Sequence, residues 1–224
     1  MSAFMKLKPT LPVHNAVKAI VFDMDGTLSV PQTWMFKAMR DAIGLRDPHM
    51  DILTFVDELP SQKLRDEANM QIKNVEARAM AEMQPQPGLV ALLKYLTVHG
   101  VSTSICTRNL IKPVRHLILK FVPEECDRFD HILTREFRPT KPSPDPLLHI
   151  AGQLDIKPKN MIMVGDSYDD MACGRAAGCA TILVRNETNG ALFETWGHLI
   201  DAAVQDLAEI IDLVENGFSK RDRN

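Results

Sequence analysis

Short apolar runs recur along this chain at intervals wide enough to hold a helix between them. They are VKAIVFD (17–23), VSTSICT (101–107), FDHILT (129–134), NMIMVGD (160–166) and ATILV (180–184). Runs rich in β-branched residues, with little polar alternation, are expected as strands buried on both faces. Helical patterns lie between them, at GLVALLKYLTVHG (88–100), KPVRHLILKFV (112–122), DPLLHIAGQL (145–154), DDMACGRAAG (169–178) and DLAEIIDLVENG (206–217). In the last, Asp206 and Glu209 stand at capping-box spacing and Gly217 marks the stop. Strands alternating with helices predict an α/β fold, a Rossmann-like parallel sheet covered on both faces.

One stretch interrupts the alternation. Residues 31–84 hold no strand pattern, whereas 32–45, 49–59 and 61–83 read as helices. In the third, Leu64, Ala68, Ile72, Val75, Ala79 and Met83 form a narrow apolar stripe suited to helix packing. QPQPG (84–88) is a stiff linker. The expected organisation is a core of residues 1–29 and 88–224, with an α-helical module of residues 30–87 inserted after the first strand.

Ligands of such sheets bind at the carboxyl ends of the strands. The first strand ends in Asp23-Met24-Asp25-Gly26-Thr27 and the second in Thr107. The third leads to Lys141 in KPSP, and the fourth ends in Asp166 with Asp169 and Asp170 just beyond. Taken singly, Asp166 reads as a helix cap, Thr107 as a loop residue, DMDGT as a tight turn and Lys141 as a solvated lysine. Their order, at the same end of successive strands, is what asks for another reading. Two carboxylates about 4 Å apart repel by about 4 kcal/mol at an effective dielectric near 20. Several acids at one edge therefore need a cation, and hard oxygen donors without His or Cys favour Mg2+. With a lysine and a threonine hydroxyl beside it, such a cation makes a phosphate site. A carboxylate held there stays ionised and can attack phosphorus. A second carboxylate two residues on can protonate the leaving group and later activate water.

In this order the motifs closely resemble those of the haloacid dehalogenase superfamily of phosphohydrolases, over nearly the whole chain. The subgroup resembled is the phosphoglycolate phosphatase and β-phosphoglucomutase-like one, in which a C1 helical cap closes over the site. The resemblance implies Asp23 as nucleophile and Asp25 as general acid and base, the latter offering its backbone carbonyl to Mg2+. It implies Thr107 and Lys141 as holders of the phosphoryl group, with Arg108 and Asn109 as further phosphate contacts. It implies Asp23, Asp25, Asp166 and Asp170 around the metal, with Asp169 turned to solvent or to the helix start. The function implied is Mg2+-dependent hydrolysis of a small phosphorylated metabolite through an aspartyl-phosphate. A sugar phosphomutase is the alternative, but the histidine expected of hexose-phosphate mutases is absent after DMDGT, where the chain runs LSVPQTWMF. A phospho-receiver domain or a non-catalytic binding protein is further off. Trp34, Arg40 and Lys63 are the inserted module's candidates for reaching substrate, each with a plainer structural or solvated reading.

Composition narrows the partners. The formal net charge is −3, which gives no electrostatic reason to expect nucleic acid or an anionic membrane. The seven histidines (14, 49, 99, 116, 131, 149, 198) show no zinc-like spacing. Cys106, Cys126, Cys173 and Cys179 form no CxxC pair and read as reduced thiols. The apolar runs are too short to span a bilayer, and MSAFMKLKPTLP has neither a secretory core nor the arginines of a transit peptide. The expected location is the cytoplasm.

Overall fold

The computed structural model describes residues 3–9, 11, 14–48 and 50–221. His49, where the second expected helix of the insertion begins, lies outside the described residues. The chain divides into two compact units, Met1–Pro31 with Pro85–Asn224, and Gln32–Gln84.

The larger unit is built on a six-stranded, wholly parallel sheet. Its strands are β3 (Ala19–Phe22), β4 (Ser102–Cys106), β5 (His131–Leu133), β6 (Met161–Gly165), β7 (Ala180–Val184) and β8 (Ala202–Val204), in the order β5-β4-β3-β6-β7-β8. The five expected strands are all present and β8 joins them at the edge. β3, β6 and β7 are buried at every position, as runs of this composition require when both faces are covered. Successive side chains then serve opposite faces. Ala19 and Val21 of β3 and Met161 and Met163 of β6 pack in one cluster with Leu147 and Ile150 of α6 (Asp145–Gln153) and Cys173 and Ala177 of α7 (Tyr168–Ala177). Ile20, Phe22, Ile162 and Val164 alternate with them and are fully buried as well. Full burial of one such side chain stabilises by about 1.5–3 kcal/mol.

The strand order reverses direction beside β3. The chain runs outward through β4 and β5, then returns to lay β6 on the other side of β3. The carboxyl ends of β3, β4 and β6 meet at that switch, where open α/β sheets bind ligands. Register aligns them: Phe22 pairs with Ile105 and with Val164. Asp23, Cys106 and Gly165 therefore come level, and Thr107 and Asp166 follow one residue further on.

The remaining helices of this unit are α4 (Leu89–Val98), α5 (Ile111–Phe121), α8 (Gly190–Trp196) and α9 (Glu209–Asn216). α9 starts later than the capping-box spacing suggests. Glu209 does reach back to the backbone N–H groups of Gln205 and Asp206, but Asp206 accepts from Ala208 N, closing a turn ahead of the helix. A small second sheet of β1 (Ala3–Lys6), β2 (His14–Ala16) and β9 (Phe218–Lys220), ordered β2-β1-β9, also lies outside the expected pattern. Gln86 N donates to Leu28 O and Pro85 bridges Ser29, so this part of the linker stays with the sheet-bearing unit.

The smaller unit holds α1 (Trp34–Ala42), α2 (Ile52–Asp57) and α3 (Gln62–Glu82). Ser61 caps α3 by accepting from Leu64 N at 3.3 Å. Met39, Val56, Ala68 and Ile72 form its core, with Ile43, Leu59 and Val75 against them. Leu64, at the first turn of the expected stripe, is exposed instead. Trp34 lies under the Arg78 guanidinium, 4.5 Å from ring to carbon. Arg40 donates to the carbonyls of Met50 and Asp47, and Lys63 pairs loosely with Glu67 on the surface. Among the described residues no helix is long and apolar enough to cross a membrane.

Candidate active site

The centre of the site is a buried ammonium. Lys141 Nζ donates to Asp23 Oδ1 at 2.7 Å and to Asp170 Oδ1 at 2.5 Å, and its side chain is 3% exposed. Burial opposes the charge on Lys141, but the Asp170 and Asp23 carboxylates outweigh it and hold the ammonium above its ordinary range. Asp23 follows β3, where its N–H donates to Val164 O at 2.9 Å and extends the ladder to β6. Burial pushes its carboxyl up from 3.8 to about 7. Lys141 opposes the rise, and the charges of Asp170 and Asp25 add to it.

Between β3 and its exit the chain turns tightly. Met24 O accepts from the N–H groups of Thr27, Leu28 and Ser29. Gly26 has φ +80°, and a Cβ there would stand 2.0 Å from Asp166 Oδ2, so the turn presses its backbone against that carboxylate. Asp25, exposed to solvent, accepts from Asn109 Nδ2 at 2.9 Å. The protein mass around it tips its carboxyl upward and Asn109 pulls the other way.

Asp170 belongs to the first turn of α7. Ser167 is the N-cap of that helix, and the two residues make a capping box. Asp170 N–H donates to Ser167 Oγ, while Asp170 Oδ2 accepts from Ser167 N at 3.1 Å and Ser167 Oγ at 2.6 Å. The cap is therefore Ser167, not Asp166. Fully buried, Asp170 is fixed on one oxygen by its own helix and on the other by Lys141. Asp166, beyond the end of β6, accepts from Asn186 Nδ2 at 3.0 Å. Burial raises its carboxyl to about 7, helped by the Asp170 charge and opposed by the Asn186 hydrogen bond and by Lys141.

Asp23, Asp166 and Asp170 each place a carboxylate oxygen within 4.8 Å of the others. When ionised, the three carboxylates against one ammonium leave a net charge of two minus, in hard oxygen donors. That donor set and charge fit a divalent cation. Asp25 is not in this trio. Thr107, buried beyond the end of β4, accepts from Asn109 N at 3.0 Å through its hydroxyl oxygen, which leaves its O–H to donate elsewhere. Arg108 turns to Asp169, with 2.5 Å between guanidinium and carboxylate; Asp169 stands in the first turn of α7 with its side chain partly exposed.

Two contributors lie outside the sequence motifs. The loop after β7 supplies Asn186 to Asp166 Oδ2. It also supplies Asn189, which is buried and donates to the carbonyls of Asp166 and Val184. Their only sequence signal is position, since RNETN follows the ATILV strand at the same edge as the other motifs. A cavity of about 440 Å3 opens at the amino ends of β3 and β4, beside Lys18, Val101 and Ile156, but no carboxylate lines it.

A parallel sheet whose switch point gathers three acids, two of them on a buried lysine, is an open α/β ligand site built for a charged group. Residues 20–184 match the model of the haloacid dehalogenase-like hydrolase family, and the chain belongs to that family. It is 59% identical over 200 residues to the uncharacterized hydrolase YOR131C of Saccharomyces cerevisiae, covering 89% of this chain and 92% of that protein. It is 31% identical to a phosphoglycolate phosphatase of Chromobacterium violaceum, covering 90% and 98% respectively. Among solved structures, a CbbY variant from Rhodobacter sphaeroides in complex with xylulose-(1,5)bisphosphate shares the fold. Its TM-score is 0.70 at 18% identity, over 89% of this chain and 99% of that one.

Proposed function

We propose that this hydrolase is a Mg2+-dependent phosphomonoesterase that passes the phosphoryl group of a small metabolite through Asp23. The observation that carries the reading is the Lys141 ammonium buried between Asp23 and Asp170, with Asp166 within reach of both. Asp23, Asp166 and Asp170, with the backbone carbonyl of Asp25, would hold the ion. Bound there, Mg2+ supplies positive charge that keeps the carboxylates ionised and neutralises phosphoryl oxygens.

The protein's own groups do the rest. Lys141 favours the ionised form of Asp23 and points it, and Asp23 Oδ attacks phosphorus in line with the ester oxygen. Thr107 donates its free O–H, and Lys141 its charge, to the transferring phosphoryl group. Asp25, tipped toward the protonated form and steadied by Asn109, gives its proton to the departing alcohol. It then takes a proton from the water that attacks phosphorus and releases Asp23. Arg108 and Asn109 stand as further phosphate contacts. On this reading residues 32–84 are the cap that selects substrate and excludes water.

Relatives named phosphoglycolate phosphatase support the reading at the level of a small phosphorylated substrate. Cys106, Cys126 and Cys173, buried as thiols, fit a reducing cytoplasm. The test is phosphate release from p-nitrophenyl phosphate and a panel of phosphorylated metabolites by the purified protein, with and without Mg2+. Mg2+-dependent release is expected. No release from any member, or conversion of sugar phosphates to isomers without free phosphate, contradicts the reading.

A further inference from the structure

We propose that Asn186 is a positioning residue that aims Asp166 at the cation. The inference rests on the proposed metal site, and goes beyond it in naming a residue outside the acid motifs. Asp166 stands just past the end of β6, where a carboxylate on a loop has rotamers to choose among. Asn186 Nδ2 donates to Asp166 Oδ2 at 3.0 Å, and Asn189 Nδ2 holds the Asp166 backbone carbonyl at 2.9 Å. One residue thus fixes the side chain and the other the main chain.

The loop that supplies them is itself braced. Asn189 Oδ1 accepts from Asn186 N at 2.9 Å. Asn186 Oδ1 accepts from Thr188 N at 2.9 Å and from the Thr188 hydroxyl at 2.7 Å. With its carbonyl oxygen occupied by Thr188, the Asn186 amide can present only its N–H group to Asp166. On the other side, Gly26 leaves no room for Asp166 to swing toward the turn after β3. The carboxylate is held between a glycine backbone and an amide donor.

The neutrality of the donor matters. Lysine or arginine at position 186 would cancel part of the charge that attracts a divalent ion. An amide orients Oδ2 and leaves the net charge of the acid trio intact. Partners that orient ligating carboxylates typically carry about 10–100-fold in metal affinity.

The experiment is calorimetric titration of the substrate-free protein with Mn2+ or Mg2+ alone, for the wild type, Asn186→Ala and Asn186→Leu. Leucine keeps the branched shape without the donor, and covers the case in which alanine lets the loop collapse. Both variants are expected to bind the ion about tenfold or more weakly. In turnover assays the Mg2+ concentration for half-maximal rate should rise by the same factor, while substrate KM at saturating Mg2+ stays within about twofold. A merely structural role would lower thermal stability without this selective loss. Equal metal affinity in wild type and both variants overturns the role of Asn186 and leaves the phosphatase reading standing. A wild type that binds neither ion overturns both.

Discussion

Lys141 Nζ lies 2.7 Å from Asp23 Oδ1, a contact made across 118 positions of chain. Both groups are buried, and Asp170 shares the same ammonium at 2.5 Å. Lys141→Met removes the charge and leaves two buried carboxylates facing each other. Loss of one partner from such an arrangement costs about 3–5 kcal/mol at neutral pH. We expect Lys141→Met to lower kcat/KM on p-nitrophenyl phosphate by at least about a hundredfold. Its melting temperature should fall at pH 7 and recover in part at pH 5, where the carboxylates can protonate. Unchanged stability at both pH values would show that the pair is not the centre of the site.

Asp169 and Asp170 are neighbours in sequence with separate partners. Asp169 meets Arg108 in a pair whose guanidinium is open to solvent and whose carboxylate is partly so, a kind worth about 0–1 kcal/mol. Asp170 is fully buried and bonded to Lys141 and Ser167. Asp169→Asn should change stability by less than about 1 kcal/mol and kcat/KM by less than about fivefold. Asp170→Asn should cost about a hundredfold or more in activity and weaken Mg2+ binding. Equal losses in the two variants would contradict the assignment.

Gly26 supplies a backbone conformation as well as space. Its φ is +80°, and an added Cβ would meet Asp166 Oδ2 at 2.0 Å. Gly26→Ala is therefore expected to lose about 1–3 kcal/mol of stability from backbone strain and to displace Asp166. Thermal melts with and without Mg2+ check this. The variant should gain less from the ion than the wild type does.

The site also sets the pH dependence of the metal-free protein. The carboxyls of Asp23 and Asp166 are raised from 3.8 to about 7 on folding. The folded state then binds protons that the unfolded chain has already released. This contribution to stability is complete below about pH 4 and is lost as pH rises toward 7. In EDTA, melting temperature should fall across that window. Added Mg2+ favours the ionised carboxylates, so its stabilisation should be larger at pH 7.5 than at pH 5. A metal-free protein that gains stability from pH 5 to 7 would contradict the burial of unneutralised acids.

The central strands β3, β6 and β7 were legible because they are buried on both faces, which forces unbroken apolar composition. β8 and the small β2-β1-β9 sheet were not. Their strands are three or four residues long and none is buried at every described position, so no unbroken buried run marks them. The motif acids showed themselves by their order at successive strand ends. Asn186 and Asn189 did not, since asparagine is ordinary in a loop and their value depends on β7 pairing beside β6. The Arg108–Asp169 pair depends in the same way on β4 and β6 flanking β3, a neighbourhood set by topology rather than by local sequence.

The central claim is that the phosphoryl group rests on Asp23 before water receives it. The direct test is the stereochemical course at phosphorus, using a thiophosphate monoester made chiral with isotopic oxygen and hydrolysed in isotopically labelled water. Two in-line displacements, first by Asp23 and then by water, predict retention of configuration. Inversion would mean that water attacks the substrate directly, and would contradict Asp23 as nucleophile.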